Sequence, residues 1–278
     1  MSVSPPVESP NPQHEQTPSD HRWSMGKLLR LLGPGLITGA SDDDPSGIAT
    51  YSQAGAAFGY SLLWTMAFSL PLMITMQEIS ARIGRVTGRG IAGNIRRNYS
   101  RWVLYPIVLL LVLANTINIG ADIGAMGDAL SVVVGGPPLL YASAFAVLSV
   151  LLQVFIKYER YENYLKWATI AVLSYVATAF MVHAPWSQAL RGTFLPHISL
   201  SGSYWAMFIA IFGTTISPYL FFWQASQETE EIKTNDDQQP VKDDPASAEQ
   251  QFARIRIDTL SGMTLSNAVG YFIILSAA

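Results

Sequence analysis

The chain contains no cysteine, only four histidines and little charge of either sign. The absence of cysteine excludes disulfides, thiolate metal sites and thiol nucleophiles, and leaves the compartment open. Charged residues are 13% of the 278 residues, where a soluble domain usually carries about 25%. Basic residues cluster only beside apolar runs, so nothing resembles a nucleic-acid patch. Met1–His21 is rich in Pro, Ser and Gln and has no apolar h-region. It reads as a disordered tail and not as a signal peptide. What fills the chain instead is hydrophobic sequence, 50% of all residues, in several runs that reach the ~20 residues needed to cross a bilayer. The class is therefore an all-α polytopic membrane protein.

Seven spans are predicted: Leu28–Phe58, Leu62–Ile83, Trp102–Val134, Leu139–Ile156, Tyr161–Val182, Tyr204–Glu228 and Ile255–Ala278. The first is the least apolar, and charge tests it. With seven spans and a cytoplasmic N-terminus, all but Arg191 of the 17 Lys and Arg residues fall on the cytoplasmic side. Omitting span one puts Lys27 and Arg30 on the wrong side. The domain reading is a cytoplasmic tail over 1–24, spans one to six over 25–232, a flexible cytoplasmic loop over 233–251, and span seven over 252–278. The loop is polar, with paired aspartates and two prolines. The chain stops inside an apolar run at Ser276-Ala277-Ala278 without flanking charge. A fragment of a longer protein is expected. The location expected is the cell membrane, multi-pass, with the bilayer as a partner.

Two spans are interrupted. Span one breaks at Asp44-Pro45-Ser46-Gly47, preceded by Asp42 and Asp43, and span six breaks at Thr214-Thr215-Ile216-Ser217-Pro218-Tyr219. Each proline lacks an N–H and clashes with the preceding turn, which frees backbone carbonyls. Such carbonyls are tolerated in a bilayer only inside protein or along a wet cavity. An intramembrane carboxylate costs at least ~2.5–3.5 kcal/mol on insertion scales and is functional by default. Interrupted spans at matching places in two halves point to a transport site. The bland reading is a simple proline kink beside an ordinary Asp-Pro-Ser-Gly turn. Asp44, adjoining the proline, is the best candidate ligand. Asp42 and Asp43 either line the approach, sit solvated in a vestibule, cap the break or are protonated.

Gly33-Pro34-Gly35-Leu36-Ile37-Thr38-Gly39, Asp44-Pro45, Tyr60-Ser61-Leu62-Leu63-Trp64, Gln77 with Arg82-Ile83-Gly84 and Thr87-Gly88, and Gly213 to Tyr219 together resemble the natural resistance-associated macrophage protein (Nramp) family of divalent-metal transporters. The resemblance implies an inverted-repeat, LeuT-like fold of five plus five helices, here truncated after about seven. It also implies a metal site at the two breaks. Family members hold the metal with an aspartate, an asparagine and a methionine, plus one carbonyl from each break. Carried over, the aspartate is Asp44, the asparagine position is Gly47 and the methionine position is Ser217. The carbonyls are those of Ser41 and Thr214. Asp43, Tyr219 (at a histidine position) and Gln224 are secondary candidates.

The departures set the expected ion. A thioether favours soft late transition metals, whereas Ser217 offers a hard oxygen. Gly47 removes a side chain and opens space. Mg²⁺ is hard and keeps several waters. The pattern is similar to that of the Nramp-related magnesium transporters. Mg²⁺ is the expected substrate, with Mn²⁺ as a second. Span six has no histidine, and Ala125 stands where the family has an acid in span three, so transport without a driven proton is expected. The alternative within the class is a proton-coupled Mn²⁺/Fe²⁺ symporter. No cofactor, nucleic acid or catalysis is expected, and oligomeric state is not legible.

Other polar residues have structural readings beside functional ones. Asn115, Asn118 and Asp122 share one face of span three and either line a water path or bond between helices. Glu78 and Arg82 are expected to pair one turn apart. Gly35/Gly39, Gly55/Gly59 and Gly120/Gly124 have the spacing of close helix packing. A protease dyad of Asp44 and Asp122 is the alternative from another class; it requires two carboxyls sharing a proton.

Overall fold

Both interruptions are helix starts, and the local sequence explains why. Pro at the first helical position needs no N–H donor, and an Asp or Ser ahead of it is a favoured cap. Helix α1, Pro45–Phe58, begins this way behind Asp44, whose side chain accepts the Gly47 N–H. Helix α8, Pro218–Thr234, begins this way behind Ser217. The computed structural model describes residue 39 and residues 42–155, 174–181, 184–235 and 238–278. By internal contacts the chain divides into Met1–Leu31 and Leu32–Ala278, and every described residue belongs to the second unit. The tail expectation, Lys27, Arg30, Ser41 and most of span five therefore lie outside the described residues.

After α1 the chain turns through a short 3₁₀ segment, Gly59–Leu62, into α2, Leu63–Thr87. Gly88, at φ 62°, ends α2 in the left-handed conformation that favours glycine. Helix α3, Ile91–Asn98, leads to α4, Arg101–Val134, and α5, Pro138–Phe155. Helical residues 174–181 follow. Then come α6, Trp186–Phe194, and α7, Gly202–Thr215, just before the second break. After α8 a loop leads to α9, Ala248–Ala277.

Five described segments are long and apolar enough to cross a membrane: Pro45–Thr87, Arg101–Val134, Pro138–Phe155, Gly202–Thr234 and Pro245–Ala277. Predicted spans one and two share the first segment, divided by the 3₁₀ turn. Spans three, four, six and seven coincide with the others to within a few residues, apart from the N-terminal start of α9. Two short helices, α3 and α6, stand where only loops were expected. Neither is long enough to register as a span.

The core lies where α1, α2, α7 and α9 meet. It includes Tyr51, Leu62, Met66, Ile211, Val269 and Ile274. Burying such side chains is worth about 1.5–3 kcal/mol each. Small residues let the backbones close in: a Cβ at Gly84 would sit 2.3 Å from the Ala225 oxygen, and one at Gly55 would sit 2.4 Å from the Ile274 oxygen. The packing reading thus holds at Gly55. Among the described residues nothing packs at Gly120 or Gly124, where a Cβ would meet no atom within 4 Å.

On the α8 side, α2 and α9 close around a buried charge cluster. Arg85, 1% exposed, and Glu228, 0% exposed, approach to 3.7 Å. Arg254 lies 2.7 Å from Glu228 and 3.0 Å from Glu231. The loop after α8, expected from its composition to be a flexible linker, carries specific contacts. Gln238 accepts from Arg85 at 2.6 Å, and the Val241 N–H donates to the Arg85 carbonyl at 3.1 Å. Glu78 and Arg82 form the expected ion pair.

Candidate metal site

The start of a helix presents N–H groups without helical partners, and carboxylates satisfy them well. At the start of α1 two carboxylates do so. Asp44 Oδ1 accepts the Gly47 N–H at 2.6 Å, and Asp122 Oδ1, from α4, accepts the Ser46 N–H at 2.9 Å. The amide of Asn118 joins the two acids: its Nδ2 lies 3.0 Å from Asp44 Oδ2 and 3.3 Å from Asp122 Oδ2. Ser46 Oγ stands 2.8 Å from Asp44 Oδ1 and 3.0 Å from Asn118 Oδ1.

The second break closes the site from the opposite side. Tyr219 donates its hydroxyl to Asp44 Oδ2 at 2.9 Å, across 175 positions of sequence. A Cβ at Gly47 would sit 3.2 Å from Asp44 Oδ1 and 3.4 Å from Thr214 Oγ1. The two interruptions therefore meet. Ser217 Oγ lies 2.7 Å from the Thr214 carbonyl and 2.9 Å from the Gly213 carbonyl. Its proton points into the helix end.

Beside this contact is a cavity of about 280 Å³, bordered by Ser46, Thr50, Asn118, Thr214, Ser217 and Tyr219 among others. Its polar lining is all oxygen and amide. The space lies toward α4. Gly47 is buried, and Asp44 and Thr214 abut it. No group of three or more His, Asp or Glu side chains forms a metal cage among the described residues.

The three consecutive aspartates diverge. Asp42 is 1% exposed, and its Oδ2 accepts from Ser266 of α9 at 2.6 Å. Asp43 Oδ1 lies 3.4 Å from the same hydroxyl. A solvated vestibule for Asp42 is thus excluded, and the residue that caps the break is Asp44. Gln224 is buried further along α8 and does not line the cavity. Ser41 lies outside the described residues. Asn118 and Asp122 were legible as one polar helix face, but their contact with the break was not. A helical repeat fixes a face without naming the neighbour it meets. The same contact disposes of the protease dyad, because an amide lies between the carboxyls where that chemistry needs a shared proton.

Comparison with known proteins supports the family and the fold. Residues 35–278 match the family model described as natural resistance-associated macrophage protein-like. The chain is 29% identical over 265 residues to divalent metal cation transporters MntH of Yersinia pestis (strain Pestoides F) and of Yersinia pseudotuberculosis serotype O:1b (strain IP 31758). The match covers 90% of this chain and 59% of each relative. The chain thus spans somewhat over half the length of these relatives. Among solved structures, it is similar to the Eremococcus coleocola manganese transporter crystallised with an aromatic bis-isothiourea substituted compound. The TM-score is 0.76 at 20% identity, over 94% of this chain and 53% of the other. The fold is the expected inverted-repeat transporter fold.

Proposed function

The chain belongs to the natural resistance-associated macrophage protein-like family, and on that premise we propose that it is the site-bearing part of a Mg²⁺ importer. Mn²⁺ is the second substrate. The ion passes between the two helix breaks with most of its water. Asp44 is the one charged anchor, and Ser217, Tyr219 and the Thr214 and Ser41 carbonyls hold the ion or its hydration shell. Asp43 lies on the approach and Gln224 on the exit along α8.

The observation that carries this reading is the meeting of the two breaks at a carboxylate beside a cavity whose polar groups are hydroxyls and one amide. Soft ions gain little there, because neither break contributes a thioether or an imidazole. A strongly hydrated ion suits a cavity lined by hydroxyl and amide groups. The driving force is the membrane potential, about 2.3 kcal/mol per charge per 100 mV and twice that for a divalent ion. No proton is needed, and the Asn118–Asp122 pair serves to hold the break. The cell membrane with a cytoplasmic N-terminus completes the reading, on the strength of the basic residues.

The test is Mg²⁺ uptake by the full-length protein in liposomes at several pH values. Flux set by the Mg²⁺ gradient and voltage, with no acid stimulation, is the expected result. Acid-stimulated uptake with a preference for Fe²⁺ would replace this reading with the proton-coupled Mn²⁺/Fe²⁺ symporter.

A further inference from the structure

The arginines near the ends of α2 and α4 fall into two groups. Arg82 pairs with Glu78, and Arg85 with Glu228 and Glu231. Arg89, Arg96, Arg97 and Arg101 are exposed, and none forms an ion pair among the described residues. Sequence explains the second group: no Asp or Glu occurs between Glu78 and Asp122. Four guanidiniums thus crowd a short stretch with no resident anion, and like charges repel.

The local fold holds them in place. Asn94 Nδ2 donates to Thr87 Oγ1 and to the Arg89 carbonyl, both at 2.9 Å, which ties the turn between α2 and α3. Helix α3 rests on α2, α4 and α8, with Ile91, Ala92 and Ile95 half-buried. Arg96 and Arg97 face outward. Trp102 is 88% exposed and Tyr99 65% exposed. Immediately beyond, α4 continues as an apolar membrane-crossing helix. Aromatic rings at that height mark the headgroup layer.

From this juxtaposition we propose that Arg89, Arg96, Arg97 and Arg101 form a binding site for the headgroups of anionic phospholipids. Guanidinium forks match phosphate oxygens in paired hydrogen bonds. Basic segments next to a membrane crossing attract acidic lipid through the same charge. The acyl chains lie along the exposed start of α4, beside Trp102 and Tyr105. A free anion lacks that second contact, so lipid is the occupant. The tied turn packs closely on α8: a Cβ at Gly90 would sit 3.1 Å from Ser226 Oγ.

The test is native mass spectrometry of the full-length protein with phosphatidylglycerol or phosphatidylcholine of identical acyl chains. The wild type should retain phosphatidylglycerol with about tenfold preference. Arg89→Gln, Arg96→Gln, Arg97→Gln and Arg101→Gln combined should abolish that preference, and four Arg→Lys changes should keep part of it. Arg256→Gln, also exposed but distant in sequence, should change nothing. Should the combined variant fold poorly, Arg96→Gln with Arg97→Gln alone should lower the preference several-fold. Equal retention of both lipids, an unchanged preference in the Gln variants, or full displacement by inorganic phosphate would each overturn the proposal.

Discussion

Two clusters of acids, buried or half-buried, meet opposite kinds of donor. In the inner cluster Glu228 and Glu231 face Arg85 and Arg254. At the breaks Asp42, Asp43, Asp44 and Asp122 receive only neutral donors: two backbone N–H groups, three hydroxyls and an amide. No Lys or Arg pairs with them among the described residues. A buried charge is stable when it is paired or strongly hydrogen-bonded. The inner cluster pairs its acids with resident cations and fastens α2, α8 and α9 together. The acids at the breaks are oriented by neutral donors alone and have no cationic side chain as partner among the described residues.

The comparison breaks most sharply at Asp44. Asp44→Ala should reduce Mg²⁺ flux to the level of empty liposomes. The protein should fold with lowered stability, because the helix cap, about 1 kcal/mol, and the bonds from Tyr219 and Asn118 are lost together. Flux and thermal unfolding measured on one preparation check both halves. The inner cluster should respond in the opposite way. Arg85→Ala leaves two carboxylates short of a cation and should cost about 3–5 kcal/mol of stability. Ion preference in the protein that remains folded should not change, and unfolding midpoints set beside competition uptake will show it.

Smaller changes sharpen the picture at the breaks. Tyr219→Phe removes one of the bonds to Asp44, worth about 1.5–3 kcal/mol for a charged acceptor. Slower Mg²⁺ uptake and a lowered unfolding midpoint are expected, read from initial rates and thermal unfolding. The subtlest change is Ser217→Met with Gly47→Asn. It should shift binding toward Mn²⁺ or Cd²⁺ by roughly tenfold, about 1.4 kcal/mol. The asparagine must displace Asp44 or Thr214 slightly, since its Cβ would arrive at 3.2 and 3.4 Å. Calorimetric titration with each metal would measure the shift, and no gain for soft ions would refute the account of ligand softness.

Sequence reading went furthest where a chemical rule acts locally. Asp-Pro and Ser-Pro steps marked both helix starts, and apolar length marked the spans. The pairing of Glu78 with Arg82 follows from one helical turn. It went less far where distant segments meet. Nothing local indicates that Asn118 bridges Asp44 and Asp122, or that Arg85 is held by Glu228 and Gln238. Composition also understated the loop after α8, whose polar residues serve as partners for Arg85. The glycine spacing on α4 predicted packing that no described residue provides, because spacing describes one helix and packing requires two.

The account rests most directly on which ion Asp44 carries. Competition flux of Mg²⁺, Mn²⁺ and Ca²⁺ through the full-length protein in one set of liposomes decides it. The account predicts Mg²⁺ uptake that Mn²⁺ competes with and Ca²⁺ does not, and that vanishes in Asp44→Ala. Unchanged Mg²⁺ flux in Asp44→Ala, or transport of Mn²⁺ with none of Mg²⁺, would contradict it.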